Sequence, residues 1–156
     1  MRYFVPFLFA LALLNGAERV AIAGCMPGRD ASNMTAPAHA LAASLRGKPV
    51  FARIHADWCP ACKATQPTID ALRAKYSSSV TFVEFDVTDA KTSAAAAAKA
   101  KALGLAAFYE ANKTATSTVA ILNPDDGTTV AKFYNDADGS DYDKAIRHAR
   151  SELRSK

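Results

Sequence analysis

From Val50 to His55 an apolar run broken only by Arg53 predicts a strand, and it leads straight into Trp58-Cys59-Pro60-Ala61-Cys62. From there to Tyr76 the spacing of apolar positions is helical. Val80 to Val87, rich in β-branched and aromatic residues, predicts the next strand. Thr92 to Leu103 is alanine-dense, the best helix composition in the chain, and its run Ala94 to Ala98 suits a helix that packs closely. Val119 to Leu122 reads as a buried strand, Asn123 to Gly127 as a turn, and Thr128 to Tyr134 as the strand that closes a hairpin. Asp141 to Leu153 predicts a final helix, with Ser140 or Asp141 as its N-cap. A short helix over Ala38 to Arg46, stopped by Gly47 with Pro49 beyond, precedes the first strand.

Strands separated by helices imply parallel pairing, and the hairpin adds an antiparallel pair. The expected architecture is therefore an α/β domain with a mixed central β-sheet flanked by helices on both faces.

The N-terminus is patterned differently. Arg2 precedes an eleven-residue run from Phe4 to Leu14, interrupted only by Pro6, which is the length of a secretory h-region and too short to span a bilayer. Ala21-Ile22-Ala23 offers a cleavage site after Ala23. Ile22-Ala23-Gly24-Cys25 looks like a bacterial lipobox, which would lipidate Cys25. Glu18 and Arg19 make the approach more polar than either signal usually has, and an uncleaved anchor is the third reading. All three place the domain outside the cytoplasm, in a bacterial periplasm or on the outer face of a membrane. Residues 1–24 are accordingly read as signal or anchor, 25–37 as a flexible linker without apolar periodicity, and 38–156 as the folded domain.

Composition narrows the function. The chain has 156 residues, half of them hydrophobic, with 19 Lys+Arg against 15 Asp+Glu. That is ordinary globular composition, and the mild positive balance implies no nucleic-acid partner. Three cysteines are too few for a disulfide scaffold.

Two of them form Cys59-Pro60-Ala61-Cys62 at the start of a helix. There unpaired backbone N–H groups and the helix dipole favour a thiolate at Cys59. Cys62, one turn along the same face, is placed to attack a mixed disulfide formed at Cys59. No second Cys-x-x-Cys or His-x-His completes a zinc site, and Lys63 stands where haem attachment needs histidine, so no cofactor is expected.

The segment Ala56-Asp57-Trp58-Cys59-Pro60-Ala61-Cys62-Lys63, entered from an apolar strand and followed by Pro67, resembles the active site of the thioredoxin superfamily, and the resemblance extends over Gly47 to Leu153. It implies a thioredoxin-like fold with Cys59 as nucleophile and Cys62 as resolving thiol. Trp58, beside Pro60 and Ala61, would shape the partner-binding surface, and Pro67 matches the helix-kinking proline. Arg53 falls where the family keeps a buried aspartate, and Glu84 where it keeps the lysine pairing with it. An Arg53–Glu84 ion pair with Glu84 as buried proton acceptor is one reading, and an Arg53 turned to solvent is the other. Ser117, before Thr118, takes the place of the family's cis-proline. A non-proline cis bond costs about 2.5–4 kcal/mol, so the bond before Ser117 is expected to be trans or reshaped, which puts substrate clamping there in question. His55 either tunes the thiolate or is a packed strand residue. His39 and His148 receive no role.

The function implied is an exported thiol–disulfide oxidoreductase acting on protein cysteines and served by a membrane or soluble electron donor. A buried acid beneath the dithiol would favour a reductant over an oxidant. The alternative is a thiol-based metal-binding or metal-delivery module built on Cys59, Cys62 and His55.

Overall fold

The computed structural model describes residues 41–155. The expectations for the signal or anchor, Cys25, the linker and His39 lie outside them. In chain order the elements are β1 (Val50–His55), α1 (Pro60–Tyr76), β2 (Thr81–Asp86), α2 (Ala90–Leu103), α3 (Ala106–Asn112), β3 (Thr118–Leu122), β4 (Thr129–Tyr134) and α4 (Gly139–Arg154). Strands are ordered β2-β1-β3-β4 in one four-stranded sheet.

β1 and β3 are the central strands, which is why both read as near-continuous apolar runs rather than clean alternations. Their alternate side chains feed two cores. Val50, Ala52 and Ile54 of β1, with Ala120 and Leu122 of β3, pack against Ala96 and Ala100 of α2 and Tyr109 of α3. Phe51, Val119 and Ile121 face the other way, against Ile69 and Leu72 of α1 and Tyr142 and Ile146 of α4. The mixed α/β architecture with helices on both faces is thus the one expected. The buried alanines of α2 bring that helix close to the sheet, as the alanine run suggested.

Three local expectations are corrected. Within the described residues, the first helix reduces to a single 3₁₀ turn at Ala43–Leu45. Gly47, at φ +80°, turns the chain before β1. The N-cap of α4 is Asp138, whose carboxylate accepts from the Ser140 backbone N–H at 2.8 Å. The third correction alters topology. A seven-residue helix, α3, stands between α2 and β3. β1 and β2 are parallel, but β3 runs antiparallel to β1 as well as to β4. A parallel return needs a crossover that brings the chain back to the end of the sheet where it started. The second helix instead takes the chain on to the far end, so that β3 enters beside the C-terminal end of β1: Arg53 is level with Val119, and Val50 with Leu122.

Candidate active site

β1 ends at His55, and three residues later the chain enters α1 through Trp58 and Cys59. Cys59 is the N-cap of α1, and Pro60 occupies the first turn, where its missing N–H costs nothing. The Cys59 sulfur accepts the backbone N–H of Cys62 at 3.2 Å, taking the place of an oxygen cap. Both thiols are free, and both are buried, with Cys59 4% exposed and Cys62 fully covered.

Their electrostatics differ. Burial acts to raise the Cys59 thiol, but hydrogen bonds from the side chains of Thr116 and Cys62 and from the Cys62 and Ala61 backbone outweigh it and hold the thiol below its ordinary value. Cys62 moves the other way. Burial pushes it up, its hydrogen bond to Cys59 pushes it further, and the Ala56 backbone and, to a smaller extent, the charge of Arg53 oppose them. One thiol is thus the better anion and the other holds its proton, the division that a nucleophile and a resolving thiol require.

Beneath the pair, Arg53 points inward. Its side chain is 2% exposed and meets Glu84, directly opposite on β2, at 3.1 Å. The same Nη1 donates to Gln66 Oε1 at 2.6 Å, and Nη2 donates to the Cys62 carbonyl at 2.9 Å and to Thr65 Oγ1 at 3.3 Å. Of the two readings of Arg53, the ion pair with Glu84 suggested by the resemblance is the one that forms. Glu84 is not buried, however: its side chain is 35% exposed at the outer end of the guanidinium, because β2 is an edge strand. The charged group that touches Cys62 is a cation, which removes the buried acid on which a reducing preference rested.

The remaining expected residues divide. Trp58 is 60% exposed, with its indole N–H donating to the Thr88 carbonyl at 3.0 Å. Pro60 is exposed beside it, Ala61 is half-buried, and Pro67 lies within α1. His55 places Nε2 at 3.1 Å from the Asp57 carboxylate, with Nδ1 buried and unpartnered. Among the described residues, no three His, Cys, Asp or Glu side chains converge as a metal-holding group.

Ser117 and Thr118 are not surface residues. The bond before Ser117 is trans, as expected, and its φ is +65°. Its N–H donates to the Ile54 carbonyl at 2.9 Å, so that donor is not left for a peptide, and its own carbonyl accepts from Asn135 N at 3.3 Å. Thr118 is fully buried and donates to the Ala115 carbonyl at 2.7 Å. The left-handed turn at Ser117 directs these groups into the protein. Thr116, which the sequence did not single out, is the residue of this turn that reaches Cys59. Together with Trp58, Val87, Ala94, Ala97 and Tyr109 it lines a groove of about 610 Å³ beside the thiols. Gln66 and Thr65 were also missed. Their spacing from Cys62 along α1 was the available signal, but it carries meaning only once an inward-pointing Arg53 is known.

The thioredoxin family model matches residues 35–132, and the chain belongs to the thioredoxin family. Among solved structures it is similar to a Fasciola hepatica thioredoxin, at 24% identity over 68% of this chain and 85% of that one, with a TM-score of 0.47. It is also similar to mitochondrial thioredoxin 3 of Saccharomyces cerevisiae in its oxidised form, at 24% identity over 67% and 81% of the two chains and a TM-score of 0.44. A third is thioredoxin O2 of Arabidopsis thaliana, at 21% identity over 65% and 74%, with a TM-score of 0.45. A comparison with curated protein sequences returns no match. The family and the Cys59–Cys62 pair support thiol–disulfide oxidoreductase activity at the general level.

Proposed function

We propose that the chain exchanges disulfides with protein cysteines through Cys59 and Cys62. The observation that carries this is the asymmetry of the pair: Cys59 caps α1 with a sulfur favoured as an anion, while Cys62 sits one turn along, covered and protonated. Cys59 thiolate attacks a substrate disulfide, forming a mixed disulfide and releasing one partner thiolate. Cys62 then attacks Cys59, closing the Cys59–Cys62 disulfide and freeing the second partner sulfur, which leaves as a thiolate and takes up a proton. Two electrons pass from the dithiol to the substrate, and the reverse sequence oxidises a substrate dithiol. Trp58, Pro60 and the groove bounded by Thr116 form the surface on which the substrate protein rests.

The domain acts after export, carried by the apolar run Phe4 to Leu14 and released, lipidated at Cys25 or left anchored. A membrane or soluble electron donor of that compartment resets the pair.

The test is the equilibrium reduction potential of the Cys59–Cys62 pair, with bound metal quantified in the same sample. A reversible couple is expected, lost in Cys59→Ser. A value near about −270 mV marks a reductant and one near about −120 mV an oxidant. No reversible couple together with stoichiometric metal would overturn the reading and support the metal-delivery alternative.

A further inference from the structure

We propose that Arg53 is a positioning residue for the resolving step: it fixes Cys62 through its carbonyl and supplies the positive charge that favours anionic sulfur there, with Glu84 as a partial counter-charge. This rests on the disulfide-exchange reading of the site.

A guanidinium that is 2% exposed is costly to bury, and its carboxylate partner sits at the protein's edge with its side chain 35% exposed. Water screens Glu84 but not the face of Arg53 turned to α1, where its contacts are the neutral oxygens of Gln66, Thr65 and the Cys62 carbonyl. Incompletely neutralised positive charge therefore faces Cys62. Burial and the hydrogen bond to Cys59 push the Cys62 thiol up, the Ala56 backbone and in smaller part the charge of Arg53 oppose them, and at Tyr142 the charge of Arg53 likewise favours the anion.

Resolution is the step that needs this charge. Cys62 gives up its proton as its sulfur attacks Cys59 Sγ, the Cys59–Cys62 bond forms, and the bond from Cys59 to the partner breaks as the partner thiolate leaves with the electron pair and takes up that proton. Negative charge develops on a buried sulfur with no carboxylate beside it among the described residues to accept the proton, so a fixed cation stabilises the state that reacts. Arg53 also ties the Cys62 carbonyl to β1, so the first turn of α1 stays in place while the thiol moves onto Cys59.

The ion pair makes the test sharp, because a structural role and an electrostatic one predict different signs. The full chain carrying Cys25→Ser is reacted with dithionitrobenzoate. Attack by Cys59 releases one coloured thiolate and attack by Cys62 releases the second, so the second phase reports resolution. Arg53→Met is expected to slow that phase about tenfold and to move its pH profile to higher pH. Arg53→Lys, which keeps the charge, should restore it to within about threefold. Glu84→Gln breaks the same ion pair yet leaves Arg53 unopposed, and should speed the second phase two- to threefold.

Slowing by both Arg53→Met and Glu84→Gln would make the pair structural and overturn the proposal, as would a second phase in Arg53→Met within twofold of the native rate. Should Arg53→Met fail to fold, Arg53→Lys and Glu84→Gln still decide, since a slowed Glu84→Gln overturns the proposal by itself. A native chain that gives the first release and no second overturns the exchange reading itself.

Discussion

The Trp58 indole N–H donates to the Thr88 carbonyl at 3.0 Å, tying the turn before α1 to the loop between β2 and α2, while 60% of Trp58 stays exposed. A ring held at its polar edge with an open face beside a reactive thiol suits contact with a partner protein. Trp58→Ala is expected to lower the rate of exchange with protein disulfides about tenfold while changing the rate with a small aromatic disulfide less than threefold. Parallel kinetics on the two substrates check this. Equal losses would mean that the indole serves the thiol rather than the partner.

Thr116 controls the nucleophile from across the site. The rate of Cys59 alkylation by iodoacetamide should rise with pH through a midpoint below the ordinary thiol value of 9.0, and Thr116→Val should move the midpoint upward. Folding linkage follows the same sign. With its Cys59 value depressed, the reduced chain gains stability as pH rises from that value toward 9.0, and loses the gain as pH falls back through it.

At Ser117 the family's proline is not interchangeable with the residue present. Its φ of +65° is outside proline's reach, and its N–H is bonded to Ile54. Ser117→Pro should cost about 3 kcal/mol or more in denaturant unfolding. Ser117→Gly, which suits positive φ and removes a buried hydroxyl without a partner, should be neutral or stabilising by up to about 1 kcal/mol.

Tyr142 anchors α4 to the loop before it, its hydroxyl donating to the Asp136 carbonyl at 2.5 Å. Burial first, then the charge of Asp136, push its ionisation up to about 12 against the opposing charge of Arg53. The unfolded chain therefore releases this proton at lower pH than the folded one. Stability should fall as pH climbs from about 10 toward 12. Tyr142→Phe should remove that alkaline loss and cost about 1 kcal/mol at neutral pH through the missing hydrogen bond. Urea unfolding at several alkaline pH values reads both effects.

Much of this was open to sequence reading because it depends on neighbours along the chain. A strand that runs into Trp58-Cys59-x-x-Cys62 and then a helix places the dithiol at a helix N-terminus whatever else the fold does. The pairing of Arg53 with Glu84 comes from the family resemblance, which leaves an Arg53 turned to solvent as the other reading; the structure sets the two residues level on adjacent strands. The short α3 escaped because seven residues give too few turns for a hydrophobic period. It is held by tertiary contacts: the Tyr109 hydroxyl donates to the Ser93 carbonyl at 2.9 Å, and the Tyr109 ring packs on Phe85.

The sequence by itself determined the chemistry-bearing pair, its place at the start of α1, and the two-sided core of β1 and β3; which way Arg53 points was decided by the fold. Tertiary structure alone decided the direction of β3, the burial of Ser117 and Thr118, the approach of Thr116 to Cys59, and the exposure of Glu84. Local order follows from spacing along one chain. Burial, and the charge that one buried group feels from another, depend on how α1, β1 and the turn before β3 are set against one another in space, which no single segment encodes.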